Sequence, residues 1–113
     1  MVVKERTYRR RYIGFCIIYD GKLSREDLLR EIRRFEREKY GISGYFDLIR
    51  FAENLGILRA PHKMKEDAIN MLKNIKRIKG KRVIIYPLKT SGTIKGLLRR
   101  LREMGIDVEV LSK

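Results

Sequence analysis

Apolar residues along the chain follow two different spacings, which predict strands in some segments and helices in others. The run RYIGFCIIYD, residues 11–20, is almost continuously apolar and rich in β-branched and aromatic side chains, which predicts a central strand buried on both faces. An Asp-Gly turn follows it. Ser24, with Asp27 three residues later, is typical of a helix N-terminus, and apolar residues then recur at helical spacing as far as Tyr40. These patterns predict a first strand and a first helix.

The middle of the chain has the composition of an antiparallel hairpin. Residues 45–53, YFDLIRFAE, have the composition of a strand, and strict alternation would place Phe51 on the opposite side from Leu48. Asn-Leu-Gly then turns the chain into GILRAPH, residues 56–62, where Pro61 marks a strand end or a sheet edge.

The last third of the chain alternates between helical and strand patterns. A second helix is predicted from about Lys65, closed by Gly80, followed by a strand over residues 81–89 and a third helix that ends before Gly105. The alternating tail, residues 106–111, is compatible with a short final strand. The apolar faces of the two helices are formed by Ala68, Met71, Leu72, Ile75 and Ile78, and by Ile94, Leu97, Leu98, Leu101 and Met104.

The predicted order of elements, βαββαβ followed by α, indicates an α+β fold. It is the split βαβ pattern of ferredoxin-like and RNA-recognition-motif-like two-layer sandwiches, with an antiparallel sheet and an extra C-terminal helix. A chain of 113 residues has room for one core, so residues 1–113 are expected to form a single domain, beginning with a basic N-terminal arm at residues 1–10. Helices on one face would leave the other face of the sheet available.

The charge balance indicates the class of partner. Lys and Arg number 28 against 14 Asp and Glu, a net charge of +14 that attracts polyanions, with nucleic acid first and an anionic membrane surface as the weaker alternative. The chain contains one cysteine, Cys16, and one histidine, His62, so the usual disulfide and zinc sites are not expected. The absence of a signal-type or membrane-spanning apolar segment predicts a cytoplasmic protein.

The stretch KTSGTIKGLLRRL, residues 89–101, carries the most specific candidate site. Small and hydroxyl residues precede a helix whose polar side is cationic, so the turn is either a helix cap alone or a phosphate site at a helix N-terminus. The first helix is also rich in arginine, but acidic residues nearly match its charge. The predicted RNA-binding residues are Arg9, Arg10, Arg11, Lys81, Arg82, Lys89, Ser91, Gly92, Thr93, Lys95, Arg99 and Arg100.

Two other site types find little support in the sequence. The predicted third strand lacks the aromatic residues with which RNA-recognition motifs stack bases, so contacts to phosphate and shape are expected to dominate. A protein nuclease needs grouped carboxylates, whereas Asp20, Asp47 and Glu53 fall at separate predicted positions. No catalytic residue and no metal ligand is predicted.

Three segments resemble the ribonuclease P protein component 2 family: RRRYIGF, GILRA and, above all, IKGKRVIIYPLKTSGTIKGLLRR, residues 78–100. The family's glycine-threonine turn matches Gly92 and Thr93, and the resemblance covers about residues 11–102. Ala60 departs from the family pattern, where a cysteine is common, which affects packing rather than function.

The resemblance implies a small subunit of the ribonucleoprotein that removes the 5′ leader from precursor tRNA. It implies that the RNA component, with Mg²⁺, is the catalyst, that this chain binds no cofactor, and that it stabilises the catalytic domain of the RNA. The implied partners are that RNA, protein component 3 in a direct pair, the other ribonuclease P proteins, and precursor tRNA in the holoenzyme. The alternative is a ferredoxin-like protein-interaction or ligand-sensing module with nonspecific RNA affinity.

Overall fold

The computed structural model describes residues 9–111 and contains one five-stranded sheet with three α-helices. The predicted basic arm lies outside the described residues except for Arg9 and Arg10. The elements, in chain order, are β1 (Arg10–Tyr19), α1 (Arg25–Tyr40), β2 (Asp47–Ala52), β3 (Leu55–Pro61), a 3₁₀ turn (His62–Met64), α2 (Lys65–Asn74), β4 (Arg77–Ile78), β5 (Lys81–Ser91), α3 (Ile94–Glu103) and a second 3₁₀ turn (Val108–Leu111).

The sheet is antiparallel, with the strand order β2-β3-β1-β5-β4. The central strand β1 pairs with β3 from Arg10 opposite Pro61 to Cys16 opposite Leu55, and with β5 from Tyr12 opposite Ser91 to Tyr19 opposite Val83. Without the two-residue β4, this is the strand order of a ferredoxin-like sandwich, so the predicted fold class is confirmed.

Helices α1 and α2 cover one face of the sheet, called here the α1 face, and form the main core with it. Phe15 of β1, Leu28 and Ile32 of α1, and Met71 and Leu72 of α2 are fully buried there. Burying each such side chain contributes about 1.5–3 kcal/mol relative to leaving it in water. This core therefore holds α1 and α2 against one face of the sheet.

Helix α3 packs on the opposite face, called here the α3 face, and forms a second core. Leu97 and Leu101 are fully buried, and a methyl carbon of Leu101 lies 3.1 Å from where a Cβ on Gly14 would sit, so a larger residue at this crossing would displace Leu101 by a few tenths of an ångström. The helix covers only part of this face. Arg10 and Ile18 are exposed, Ile18 at 57%, so the prediction that β1 is buried on both faces holds for its centre, residues 13–15, and not for its ends.

Buried Glu36 connects α1 to the loop before β2. Its carboxylate accepts hydrogen bonds from the backbone N–H groups of Gly44 (3.1 Å) and Phe46 (2.8 Å), and from the Arg33 guanidinium (2.9 Å). A fully buried carboxylate is tolerated because three donors satisfy it.

Three local predictions were wrong. Helix α2 ends at Asn74 instead of continuing to Gly80, because Ile75 and Ile78 reach the core from extended backbone and from β4. A bulge between Leu48 and Arg50 shifts the alternation of β2, so Phe51 packs into the same core as Leu48.

The tail is the third correction, since it forms a 3₁₀ turn at Val108–Leu111 and not a strand. Val108 and Leu111 pack into the core beneath α3, and the Leu111 carbonyl accepts a hydrogen bond from the Arg50 guanidinium. Among the helices of residues 9–111, none is both long and apolar enough to cross a membrane.

Candidate nucleic-acid interface

The turn at residues 91–93 joins the end of β5 to the start of α3, and both of its hydroxyl groups are used locally. Thr93 is the N-cap residue, and its Oγ1 accepts a hydrogen bond from the Gly96 N–H at 3.0 Å. Ser91 Oγ accepts a longer one, 3.4 Å, from the Thr93 N–H. The predicted helix cap is therefore present.

Capping leaves donors at this helix end unused. Within residues 9–111, no acceptor bonds to the backbone N–H groups of Ile94 and Lys95. These groups lie in the first turn of α3, where the helix dipole favours an anion. The cap and the phosphate site, which the sequence left as alternatives, are compatible in this geometry.

Gly96 lets the turn lie close to the helix. A Cβ at this position would lie 2.7 Å from Ser91 Oγ and 2.9 Å from Thr93 Oγ1, closer than such atoms can approach. The absence of a side chain keeps the start of α3 open. A groove of about 420 Å³ lies here, lined by Thr93, Lys95, Gly96, Arg99 and Arg102.

Arg11 reaches the same turn from the neighbouring strand. Its Nε donates a 3.0 Å hydrogen bond to His62 Nδ1, and its Nη1 lies 2.9 Å from where a Cβ on Gly92 would sit. Because Tyr12 of β1 pairs with Ser91 of β5, the beginning of one strand and the end of the other meet at one end of the sheet. The structure thus groups Arg11 with the residues of the turn and α3.

The cations of this group are not neutralised. No carboxylate within residues 9–111 lies within 4.0 Å of Arg11, Lys95, Arg99 or Arg102, and the first turn of α3 contains no acidic residue. A cationic surface at a helix N-terminus, open to solvent, is the arrangement that binds phosphate.

Helix α1 is the contrasting case. Arg30 lies 3.2 Å from Asp27, Arg33 lies 2.9 Å from Glu36, and the Arg34 guanidinium lies between Glu31 and Glu38. The pKa of Arg34 is raised, first by its hydrogen bond to Glu31 and by the charge of that residue. The matched charges predicted for this helix therefore form ion pairs, and its surface is not strongly cationic.

The other predicted residues do not all belong to the same surface. Lys89 and Arg100 lie on another flank of α3, in a groove of about 360 Å³ that also includes Lys73. Arg10 lines a separate pocket of about 200 Å³ with Asp47 and Arg59, and the carbonyl of exposed Arg9 accepts a hydrogen bond from the His62 N–H at 2.7 Å.

Lys81 and Arg82 lie at the opposite end of the sheet. Ten residue steps along β5 separate Lys81 from Ser91, which is about 33 Å for an extended strand. Lys81 Nζ donates to the Asp20 carbonyl at 3.2 Å and lies 5.8 Å from the centre of the Tyr19 ring. One small ligand cannot touch both ends, whereas an extended polyanion can.

Arg102 was not among the predicted binding residues, although the structure places it in the groove at the start of α3. The signal was present, because residues 95, 99 and 102 repeat at helical spacing. Within residues 9–111 the structure contains no group of three His, Cys, Asp or Glu side chains that could hold a metal ion.

Comparison with known proteins identifies similar sequences and a similar fold. The sequence pattern that defines the Rpp14/Pop5 family matches residues 11–102. Ribonuclease P protein component 2 of Methanosarcina barkeri is 35% identical over 92 residues, covering 77% of this chain and 67% of that protein. The Pyrococcus horikoshii protein of the same name is 35% identical over 98 residues, covering 81% of this chain and 82% of its own length.

A solved structure shares the fold. A chain in the cryo-EM structure of yeast ribonuclease MRP superposes with a TM-score of 0.63 at 12% identity, covering 87% of this chain and 92% of that one.

Proposed function

The chain belongs to the Rpp14/Pop5 family of ribonuclease P protein subunits, and we propose that it binds the RNA component through the turn at residues 91–93 and helix α3. The observation that carries the proposal is the set of cations at the start of α3, beside backbone N–H groups, that have no partner among residues 9–111. Each neutralised phosphate releases counterions, so several such contacts add up to strong, salt-sensitive binding.

The role of the chain in this proposal is structural. Arg11, Lys95 and Arg99 neutralise phosphates that the folded RNA brings close together, which stabilises its catalytic domain. The RNA holds the Mg²⁺ that activates water for cleavage of the 5′ leader from precursor tRNA, and this chain supplies no catalytic group. The particle acts in the cytoplasm.

The direct protein partner in this proposal is ribonuclease P protein component 3, which acts with this chain as a pair. A protein contact is supported by an exposed apolar area on the α3 face, which is formed by Ile18, Ile84 and Tyr86. Covering such side chains with a partner removes them from water, which lowers the free energy of the complex. Other ribonuclease P proteins complete the particle.

The test is reconstitution of the particle from the catalytic RNA and the other ribonuclease P proteins at fixed Mg²⁺, with and without this chain. We expect a large increase in the rate of 5′ cleavage of precursor tRNA that requires both this chain and component 3. A particle that is fully active without this chain would contradict the proposal. The interaction-module function with nonspecific RNA affinity would then be favoured.

A further inference from the structure

Strand β5 is paired along one edge and open along most of the other. Its inner edge pairs with β1 from Val83 to Ser91. Its outer edge pairs with β4 only at Lys81 and Arg82, after which the Val83 N–H donates to the Lys76 carbonyl at 2.9 Å. Within residues 9–111, no strand pairs with the outer edge over residues 84–91.

The backbone groups on this edge can be assigned from the alternation of an antiparallel strand. The Val83 N–H points outward, because Lys76 accepts it, so the N–H and C=O of Ile85 also point outward. The next outward position is Pro87, which has a carbonyl but no N–H. Over residues 84–87, before the bulge that shifts the register of β5 against β1, the edge therefore offers one donor and two acceptors, and this pattern favours a single register for an added strand.

The surfaces on the two sides of this edge differ in chemistry. On the α1 face, a groove of about 340 Å³ separates the edge from the end of α2, where Lys73 and Lys76 are exposed. On the α3 face, Ile84 and Tyr86 are 43% and 47% exposed, and Ile18, which pairs with Ile84, is also exposed. An added strand would have one row of side chains beside lysines and the other beside apolar groups.

We propose that the outer edge of β5 binds an extended segment of a protein partner as an added strand. The segment places acidic side chains toward Lys73 and Lys76, and apolar side chains beside Ile84 and Tyr86. Main-chain hydrogen bonds to Ile85 and the Pro87 carbonyl supply affinity, and the alternating side chains supply specificity. The inference rests on the proposed function, in which this chain has a direct protein partner.

Charge and hydrogen bonding disfavour the two other occupants. A second copy of this chain would bring its own Lys73 and Lys76 toward the same lysines, and each chain carries a net charge of +14. RNA would place phosphates, which only accept hydrogen bonds, near the outward carbonyls of Ile85 and Pro87. Beside the edge on the α3 face, Tyr86 alone offers an aromatic face on which a base could stack, and Ile18 and Ile84 offer none, so successive bases find no row of stacking partners.

The experiment measures amide hydrogen exchange in the full chain alone, with component 3, and with the catalytic RNA. We expect component 3 to slow exchange at Ile85 at least tenfold and RNA to leave it unchanged. The double variant Lys73→Glu/Lys76→Glu should weaken binding to component 3 at least tenfold. The matched control Lys39→Glu/Lys63→Glu makes the same charge change at exposed lysines outside the groove and should bind normally.

The outcomes separate this inference from the proposed function. A complex with component 3 in which Ile85 exchanges as fast as in the free chain overturns the added strand and leaves the proposed function intact. Failure of component 3 to bind overturns both. Protection at Ile85 caused by RNA alone, or by raising the concentration of the chain alone, assigns the edge to RNA or to a second copy and overturns the proposal.

Discussion

Helices α1 and α3 are both rich in arginine, but the structure uses their charges in opposite ways. In α1 the guanidinium groups of Arg30, Arg33 and Arg34 lie 2.6–3.2 Å from carboxylates of the same helix. In α3 the side chains of Lys95 and Arg99 have no such neighbour within residues 9–111. The position of the acids, more than the number of bases, therefore determines where a basic protein can hold a polyanion.

The two helix N-termini differ in the same way. Ser24 and Thr93 both cap by accepting the N–H three residues later, at 3.1 and 3.0 Å. The first turn of α1 then contains Glu26 and Asp27, which occupy the positive end of the helix dipole. The first turn of α3 contains no acid, so its positive end can accept an external anion.

The largest effect is expected from removing an acid that α1 uses for structure. Glu36→Ala removes a fully buried carboxylate and leaves the N–H groups of Gly44 and Phe46 without an acceptor. We expect the free energy of unfolding to fall by about 3 kcal/mol, as is typical when a buried charge pair loses one partner. Urea denaturation monitored by circular dichroism measures this change.

Glu38→Ala is the matched control for this variant. Glu38 lies on the same helix, pairs with Arg34 at 2.9 Å and has a side chain that is 63% exposed. Its removal should cost less than about 1 kcal/mol. Equal losses in the two variants would show that the hydrogen bonds of Glu36 do not stabilise the loop before β2.

The second-largest effect is expected from removing cations of α3. Lys95→Ala/Arg99→Ala should reduce the slope of log K against log salt for binding to the catalytic RNA by about one unit per lost phosphate contact. Affinity near 0.1 M salt should fall about 50-fold by the same relation. Filter binding or fluorescence anisotropy at several salt concentrations gives both quantities.

Arg30→Ala/Arg34→Ala removes the same amount of charge from α1. Because both guanidinium groups pair with carboxylates of their own helix, the salt slope should change much less. If the two double variants lose the same slope, the contrast between the helices has no consequence for RNA binding, and the whole basic surface acts nonspecifically.

The sequence predicted the elements well where one pattern dominated. Ser24 and Thr93 are caps, and Gly41 ends α1 with a positive φ of 84°. Prediction from the sequence failed where tertiary contacts determine the local structure. Ile78 matches the helical spacing of α2 but lies in β4. Phe51 lies on the other side of β2 from the one predicted, because a bulge shifts the alternation, and the sequence gives no clear signal of that bulge.

The candidate site was predictable as a segment but not as a surface. Residues 91–99 stand out because a hydroxyl-bearing turn precedes a cationic helix. That Arg11 joins them depends on the pairing of β1 with β5, and that Lys81 lies about 33 Å away depends on the length of β5. Periodicity within one element cannot supply either fact.

A smaller effect is expected from removing each cap. Ser24→Ala and Thr93→Ala should each lower the free energy of unfolding by about 1 kcal/mol. Only Thr93→Ala should also weaken RNA binding, because it removes the hydroxyl that orders the first turn of α3. Stability and RNA affinity measured on both variants test this. A loss of RNA affinity in Ser24→Ala as large as that in Thr93→Ala would place the α1 terminus in the interface too.

The smallest effect is expected on the pH dependence of stability, from Asp27 in the first turn of α1. The hydrogen bond with Ser24 lowers the pKa of Asp27 from its ordinary 3.8, and the charge of Lys79 and the hydrogen bond with Arg30 lower it further. A lowered pKa in the folded protein means that the charged form stabilises the fold above pH 3.8, and that this stabilisation is lost as the pH falls through the lowered pKa. Asp27→Asn should therefore lose less stability than the wild type on acidification below that value.

An NMR titration of the Asp27 carboxyl measures the shift directly, and Ser24→Ala should return its pKa toward the ordinary value. Gly96, the residue at the equivalent position of α3, has no group that titrates, so the start of α3 keeps its positive end over the whole acid range. A carboxyl that titrates at or above 3.8 in the wild type would mean that Ser24, Lys79 and Arg30 do not stabilise the charged form of Asp27. The two helix ends would still differ in their acids, because the first turn of α1 also contains Glu26 and that of α3 contains none.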